Sequence, residues 1–230
     1  MKDFFEFENK IGFEFKNKDL LKEALTHRSY LNENPDWSTP HNERLEFLGD
    51  AVIELVITED LFKKFPSNPE GDLTSYRAAL VNANMLSDVA SGLDFGDFLL
   101  LSRGEAKDKG RARQYILANA FEAVIGAMYL DGGYLMAKKF LSEKLLPELP
   151  KIITGKLYQD PKSLFQEKAQ EFSSITPHYE VVKEWGPDHD KHFVVGVFLD
   201  ENKIAEGEGP SKQAAQEEAA RIALGLKNWA

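Results

Sequence analysis

Cysteine is absent from the chain. Thiolate zinc sites, iron–sulfur clusters and disulfides are therefore excluded, and the expected setting is a reducing cytoplasm. No run approaches the ~18 apolar residues that a membrane-spanning helix needs, and Met1 to Phe15 is acidic, without the basic start and apolar core of a leader. Histidine is sparse and scattered, at positions 27, 41, 178, 189 and 192, so no histidine cluster is apparent. Basic residues are in deficit: 28 Lys and Arg against 38 Asp and Glu give a formal charge of −10. The chain shows no internal repeat and no low-complexity tract.

What is present starts at residues 42 to 50, Asn-Glu-Arg-Leu-Glu-Phe-Leu-Gly-Asp. On a helix, Glu43, Glu46 and Asp50 stand at i, i+3 and i+7, within about 60° of one another. Leu45, Leu48, Val52, Leu55 and Val56 form an apolar stripe, with Phe47, Ile53 and Ile57 flanking the acids, so the helix is expected to be core nearly all round. Buried acids need protons, bases or a cation, and Arg44 alone supplies too little positive charge. A solvated acidic face on a half-exposed helix satisfies the same spacing.

A second helix carries the complement. Tyr115 to Leu130 is apolar except for Asn119 and Glu122, again at i and i+3, and Ala118, Ala120, Ala123, Gly126 and Ala127 keep its surface slim. Two hydrophobic helices bearing oxygen ligands can hold a hard cation between them. No Glu-x-x-His stands near the acids, which disfavours a di-iron bundle. An all-oxygen set of Glu, Asp and Asn suits magnesium or manganese, and hence phosphate-ester hydrolysis rather than redox chemistry.

A chain of 230 residues with 43% hydrophobic content can bury a sizeable core and is long for one helical domain. Helical patterns cover Asp19 to Tyr30, Glu43 to Lys64, Asp72 to Gly92, Tyr115 to Leu130 and Tyr134 to Leu146, with Pro147 and Pro150 as stops. The expected division is a helical domain over 1–150, a linker over 151–159 and a small α+β domain over 160–230. In the latter, Asp160-Pro161 opens a helix with Leu164, Phe165, Ala169 and Phe172 facing inward. Three strands follow, His178 to Trp185, Lys191 to Asp200 and Asn202 to Glu208. Ser211 then opens a last helix whose inner face is Ala215, Ala219, Ile222 and Leu226.

The block from Asn42 to Val52 resembles the signature of the ribonuclease III family. So do residues 24–30 (Ala-Leu-Thr-His-Arg-Ser-Tyr), 70–73 (Glu-Gly-Asp-Leu), 77–82 (Arg-Ala-Ala-Leu-Val-Asn) and 116–123 (Ile-Leu-Ala-Asn-Ala-Phe-Glu-Ala). The α-β-β-β-α order, with Gly207-x-Gly209-Pro210-Ser211-Lys212 before the last helix, resembles a double-stranded RNA-binding domain. The resemblance implies an endoribonuclease that hydrolyses double-stranded RNA with magnesium, manganese able to substitute. Glu46, Asn119 and Glu122 would be the metal ligands and Asp50 and Glu122 the catalytic residues, with Glu43 and Glu70 as supporting acids. It further implies a homodimer that leaves 5′-phosphates and short 3′ overhangs, working without a membrane in rRNA, mRNA and small-RNA processing. Where the family has an aspartate, this chain has Asn119, which removes one negative charge; Glu54 has no family role and is expected to be structural.

Three RNA-contact regions follow from the same likeness. Gln166, Glu167 and Gln170 would meet one minor groove, Pro187, Asp188 and His189 the next, and Ser211 and Lys212 the phosphates between them. Residues 160–230 nevertheless hold eight Lys or Arg against thirteen Asp or Glu. Gln213 and Gln216 occupy places that are often basic, so the expected affinity is modest and salt-sensitive. In the first domain, Lys107, Lys109, Arg111 and Arg113 form a basic stretch before the second acidic helix that suits a solvated loop or a phosphate-contacting one, its position beside that helix favouring RNA contact. The alternatives are an RNA-binding protein that has lost hydrolysis, which the intact acids disfavour, and a helical metal-storage protein, which the C-terminal domain disfavours.

Overall fold

The computed structural model describes residues 4–107, 110–187 and 191–229. Two compact units divide at Tyr158 and Gln159.

The first unit is helical. It begins with α1 (Phe4–Ile11), α2 (Lys18–Ala24) and α3 (Arg28–Glu33), then the long α4 (Glu43–Lys64), α5 (Glu70–Val81), α6 (Ala83–Gly92) and the short α7 (Phe95–Phe98). The second long helix, α8 (Arg111–Gly132), is followed by α9 (Tyr134–Lys144) and α10 (Leu149–Thr154). The most extensive packing in the unit is between α4 and α8. A run of ring contacts, Phe7 on Phe95, Phe95 on Phe121 and Phe121 on Phe140, ties α1, α7 and α9 to α8. All four rings are nearly or fully buried, each excluding roughly 150–250 Å² of mostly apolar surface from water.

Several sequence expectations are corrected. The predicted helix over 19–30 breaks at Thr26: Leu100 N–H donates to the Leu25 carbonyl and His27 N–H to the Leu100 carbonyl, which pulls the backbone into a parallel bridge. His27 restarts the helix as its N-cap. The predicted helix over 72–92 divides at Asn82, whose extended backbone ends α5 while its side chain caps α6 through the Met85 N–H. Pro147 and Pro150 sit in the first turns of a 3₁₀ segment and of α10, where a missing N–H costs nothing, so the chain continues past the expected domain end. Ile152 is buried, and Tyr158 packs edge-on against Tyr76; most of the expected linker thus belongs to the first unit.

The helix α4 is not buried all round. Phe47, Leu55 and Phe62 are 83%, 59% and 71% exposed, while Leu45, Val52, Ile53, Val56, Ile57 and Leu61 face the core.

The second unit places α11 (Pro161–Ser173) and α12 (Lys212–Lys227) on one side of an antiparallel sheet of β1 (His178–Trp185), β2 (His192–Leu199) and β3 (Asn202–Gly209), in the order β1-β2-β3. This is the α+β arrangement read from the sequence. Asp160 and Ser211 cap the two helices by accepting from the Ser163 and Ala214 N–H groups. The inner face of α12 is Ala215, Ala219, Ala220, Ala223 and Leu224, not Ile222 and Leu226, which stay exposed. Phe172 is also largely exposed and stacks on Trp229 instead of entering the core.

Candidate active site and RNA-binding surface

Small residues bring α4 and α8 together. A Cβ on Gly49 would stand 1.8 Å from the Glu122 carbonyl oxygen, and one on Gly126 would stand 2.2 Å from the Leu45 carbonyl oxygen. Backbone therefore meets backbone. Because Gly49 lies between Glu46 and Asp50, the crossing sets these acids beside Glu122.

The electrostatics show the consequence. Burial pushes the Glu122 carboxyl up to about 8, and the nearby charges of Asp50 and Glu46 add to the effect. Glu46 is also raised, by burial and then by Glu43, while the Asn119 amide donates to its carboxylate and partly offsets the rise. Asn119 therefore faces the acids. No base appears among the causes for either group, and acids of this kind become fully ionised only at a cost that a cation would remove. The donor chemistry fits a hard divalent ion. As they stand, no three His, Asp or Glu side chains among the described residues are arranged as a ready-made metal site, so binding would draw the flexible Glu side chains inward.

Glu43 is turned to the side. It lies 3.6 Å from Arg28 and 3.8 Å from His41, neither of which sequence reasoning singled out, although Arg28 falls within the family-like block over 24–30. The buried Asn42 anchors this corner, with its N–H donating to Thr26 and its amide to Ala24. Glu70 is elsewhere: at the start of α5 it accepts from the Thr74 hydroxyl and lines a 450 Å³ pocket with Thr58, Phe62 and Arg77. Thr58 lies about 18 Å along α4 from Glu46. One chain does not bring Glu70 to the acids. Glu54 pairs with Arg77 at 2.9 Å, the structural role expected of it.

The raised Glu122 carboxyl has a pH signature. Its folded pKa lies above its ordinary value of 4.5, so the folded chain holds the extra proton between these values. Its stabilising contribution is complete below about 4.5 and is lost as pH rises through about 8. In chelator, the melting temperature of Glu122→Gln relative to the native chain is expected to rise steadily from pH 5 to pH 8. A constant difference, measured by calorimetry, would show that Glu122 is ordinarily ionised.

The basic stretch divides, because α8 begins at Arg111 rather than at Tyr115 and takes in its last two members. Lys107 is exposed, Lys109 lies outside the described residues, and Arg113 turns inward to donate to the Gly96 carbonyl at 3.0 Å. Arg113 is thus a strut between α7 and α8 rather than an RNA contact. In the second unit, Gln166, Glu167 and Gln170 are exposed together along α11. Lys212 lies over the Phe193 ring at 5.7 Å, at the start of α12 beside the capping Ser211. Gly207 lets α12 lie flush on β3, since a Cβ there would meet the Ala219 nitrogen at 2.1 Å. Lys162, not singled out from the sequence, donates to Gln216 at 2.6 Å and lies over the Tyr179 ring. Asp188 and His189 lie outside the described residues, whereas Pro187 is within them.

Comparison with known proteins matches residues 17–149 to the family described as Ribonuclease-III-like and residues 161–225 to the double-stranded RNA binding motif. The chain is 48% identical over 225 residues to Ribonuclease 3 of Nitratiruptor sp., covering 97% of this chain and 96% of that protein. It is 42% identical over 221 residues to Ribonuclease 3 of Bdellovibrio bacteriovorus, covering 96% and 94% of the two chains. A solved nuclease domain of ribonuclease III from Campylobacter jejuni, described as flexible in a region involved in dimer formation, is 42% identical with a TM-score of 0.58. That likeness covers 64% of this chain and 99% of the solved one.

Proposed function

Because the chain belongs to the ribonuclease III family and is a double-strand-specific endoribonuclease with its own double-stranded RNA-binding domain, we propose that it cuts with magnesium held by Glu46, Asn119 and Glu122. Manganese would substitute. The observation that carries this reading is Glu122, half-buried against Asp50 and Glu46 and pushed up to about 8. When bound, the cation supplies Lewis-acid activation of a water and charge for the leaving 3′-oxygen.

The chain's own residues do the rest. Asp50, exposed at the mouth of the cluster, orients the attacking water, and Glu122 both ligates and serves proton transfer. Asn119 holds the Glu46 carboxylate through its amide, and Glu43, braced by Arg28 and His41, adds to the local negative field. Along α4, exposed Phe47, Ala51, Leu55, Thr58 and Phe62 fall within about 80° of one another. An apolar stripe of this kind supports a homodimer. We place Glu70 at that interface, beside Phe62.

Duplex recognition is assigned to Gln166, Glu167, Gln170, His189, Ser211 and Lys212. The proposed products are 5′-phosphates with short 3′ overhangs, from rRNA, mRNA and small-RNA precursors in the cytoplasm. No helix among the described residues is long and apolar enough to cross a membrane.

The test is a long RNA duplex and its separated strands, each incubated with the chain in magnesium or in chelator. Cleavage of the duplex alone, in magnesium alone, with ends that ligate without prior phosphorylation, is the expected result. Equal cutting in chelator would remove the metal, and equal cutting of the single strands would remove the duplex specificity.

A further inference from the structure

The contact between α4 and α8 is reciprocal. Gly49 sits against the carbonyl of Glu122, and Gly126 against the carbonyl of Leu45, with a Gly126 Cβ only 3.1 Å from the Gly49 nitrogen. Leu45 and Gly49 are four residues apart on α4, as Glu122 and Gly126 are on α8. The assigned ligands Glu46, Asn119 and Glu122, together with the catalytic Asp50, hang directly from this contact. Glu46 and Asp50 each follow an α4 contact residue, Glu122 is itself an α8 contact residue, and Asn119 stands one turn before it. The separation of the two backbones at the glycines is therefore the separation of the two halves of the acid cluster.

We propose that Gly49 and Gly126 are positioning residues that fix the width of the cluster and thereby select magnesium over calcium; the inference rests on the metal-site reading above. The atoms a Cβ at 126 would meet are backbone, which cannot rotate aside as a side chain can. Moving from 2.2 Å to an ordinary C···O contact of about 3.3 Å requires the helices to part by about 1 Å. Magnesium demands near-octahedral oxygens at about 2.0–2.1 Å, whereas calcium accepts six to eight at about 2.3–2.6 Å in looser geometry. Parting the helices therefore penalises magnesium more than calcium. The long Glu46 and Glu122 side chains can follow a larger ion, but the shorter Asn119, the remaining assigned ligand, cannot reach as far.

The experiment measures the half-saturating magnesium and calcium concentrations for thermal stabilisation of the full chain, in the native form and as Gly126→Ala and Gly92→Ala. Gly92 serves as the control because nothing lies within 4 Å of a Cβ built there. In Gly126→Ala, magnesium affinity is expected to fall about tenfold relative to calcium, at the low end of what changes behind a metal's ligands produce. Gly92→Ala should keep the native ratio. A merely structural glycine would lower the metal-free melting temperature and leave the ratio unchanged, which overturns the proposal. Should Gly126→Ala fail to fold, Val52→Ile adds one methylene at a buried position on the same face of α4, one turn beyond Gly49. The same shift, smaller in size, supports the proposal there, and an unchanged ratio overturns it. Absence of stabilisation by either ion in the native chain would instead overturn the metal-site reading itself, and the inference with it.

Discussion

The Glu122→Gln variant is expected to bind duplex RNA as the native chain does and to cleave it about 10³-fold more slowly, a loss on the scale of removing one well-placed group that stabilises a transition state. The amide keeps the size of the side chain, so the close packing of α8 on α4 is undisturbed. What it removes is the charge. In the native chain that charge is costly, because Glu122 is half-buried beside Asp50 and Glu46, and a cation recovers the cost on binding. Without it, the cluster attracts metal less and has no group at this position to carry a proton near neutral pH. The RNA-contact residues assigned to the second unit are untouched, so a single-turnover cleavage assay and a binding assay on the same duplex separate the two effects. Equal cleavage rates at saturating magnesium would remove Glu122 from the chemistry. Weakened duplex binding would move it from catalysis to substrate contact.

The two long helices were legible because their signals are local. Glu43 to Lys64 appears with the bounds expected from its periodicity, and the pairing of Asn119 and Glu122 on a slim helix foretold a close approach. The breaks at Thr26 and Asn82 were not legible, because each depends on a partner: the Leu100 backbone for the first, and a tertiary arrangement that turns Asn82 into a cap for the second. Exposure was harder still. Phe47, Leu55 and Phe62 are as apolar as the core residues beside them, and composition does not distinguish an apolar side chain left at the surface from one packed in the core. Arg113 illustrates the reverse error. A basic run before an acidic helix suggests phosphate, yet one member of it is spent on the Gly96 carbonyl. Glu70 stood in a family-like block, but block membership does not state distance, and its place in one chain is beside Thr58 and Phe62.

Removing the second unit is expected to leave an enzyme that works at full rate only at low salt. The fragment should end at Tyr158 rather than within α10, because Tyr158 covers Tyr76 and Ile152 is part of the first unit's core. It should therefore fold, keep the exposed α4 stripe through which we propose dimerisation, and keep every residue assigned to the chemistry. Duplex affinity is another matter. Every basic group withdrawn from a phosphate takes its share of counterion release with it, and affinity falls as a power of salt concentration set by the number of phosphates neutralised. The second unit supplies few such groups for its size, since its eight basic residues face thirteen acids, Lys162 is engaged with Gln216, and Lys212 stands at the start of α12 beside a capped helix end. Its contribution must then come as much from shape, through Gln166 and Gln170 toward 2′-hydroxyls, as from charge. The expected outcome is that fragment and full chain cleave at comparable rates near 20 mM salt, where both bind the duplex to saturation, whereas near 150 mM the fragment, without the second unit's shape contacts, drops out of saturation and falls about tenfold behind. The full chain's own salt dependence should be shallow for an RNA-binding protein, with a slope matching about two or three neutralised phosphates. Identical salt tolerance in the two chains would show that the second unit does not hold the substrate, and a steep slope in the full chain would show that basic residues outside the second unit carry the duplex.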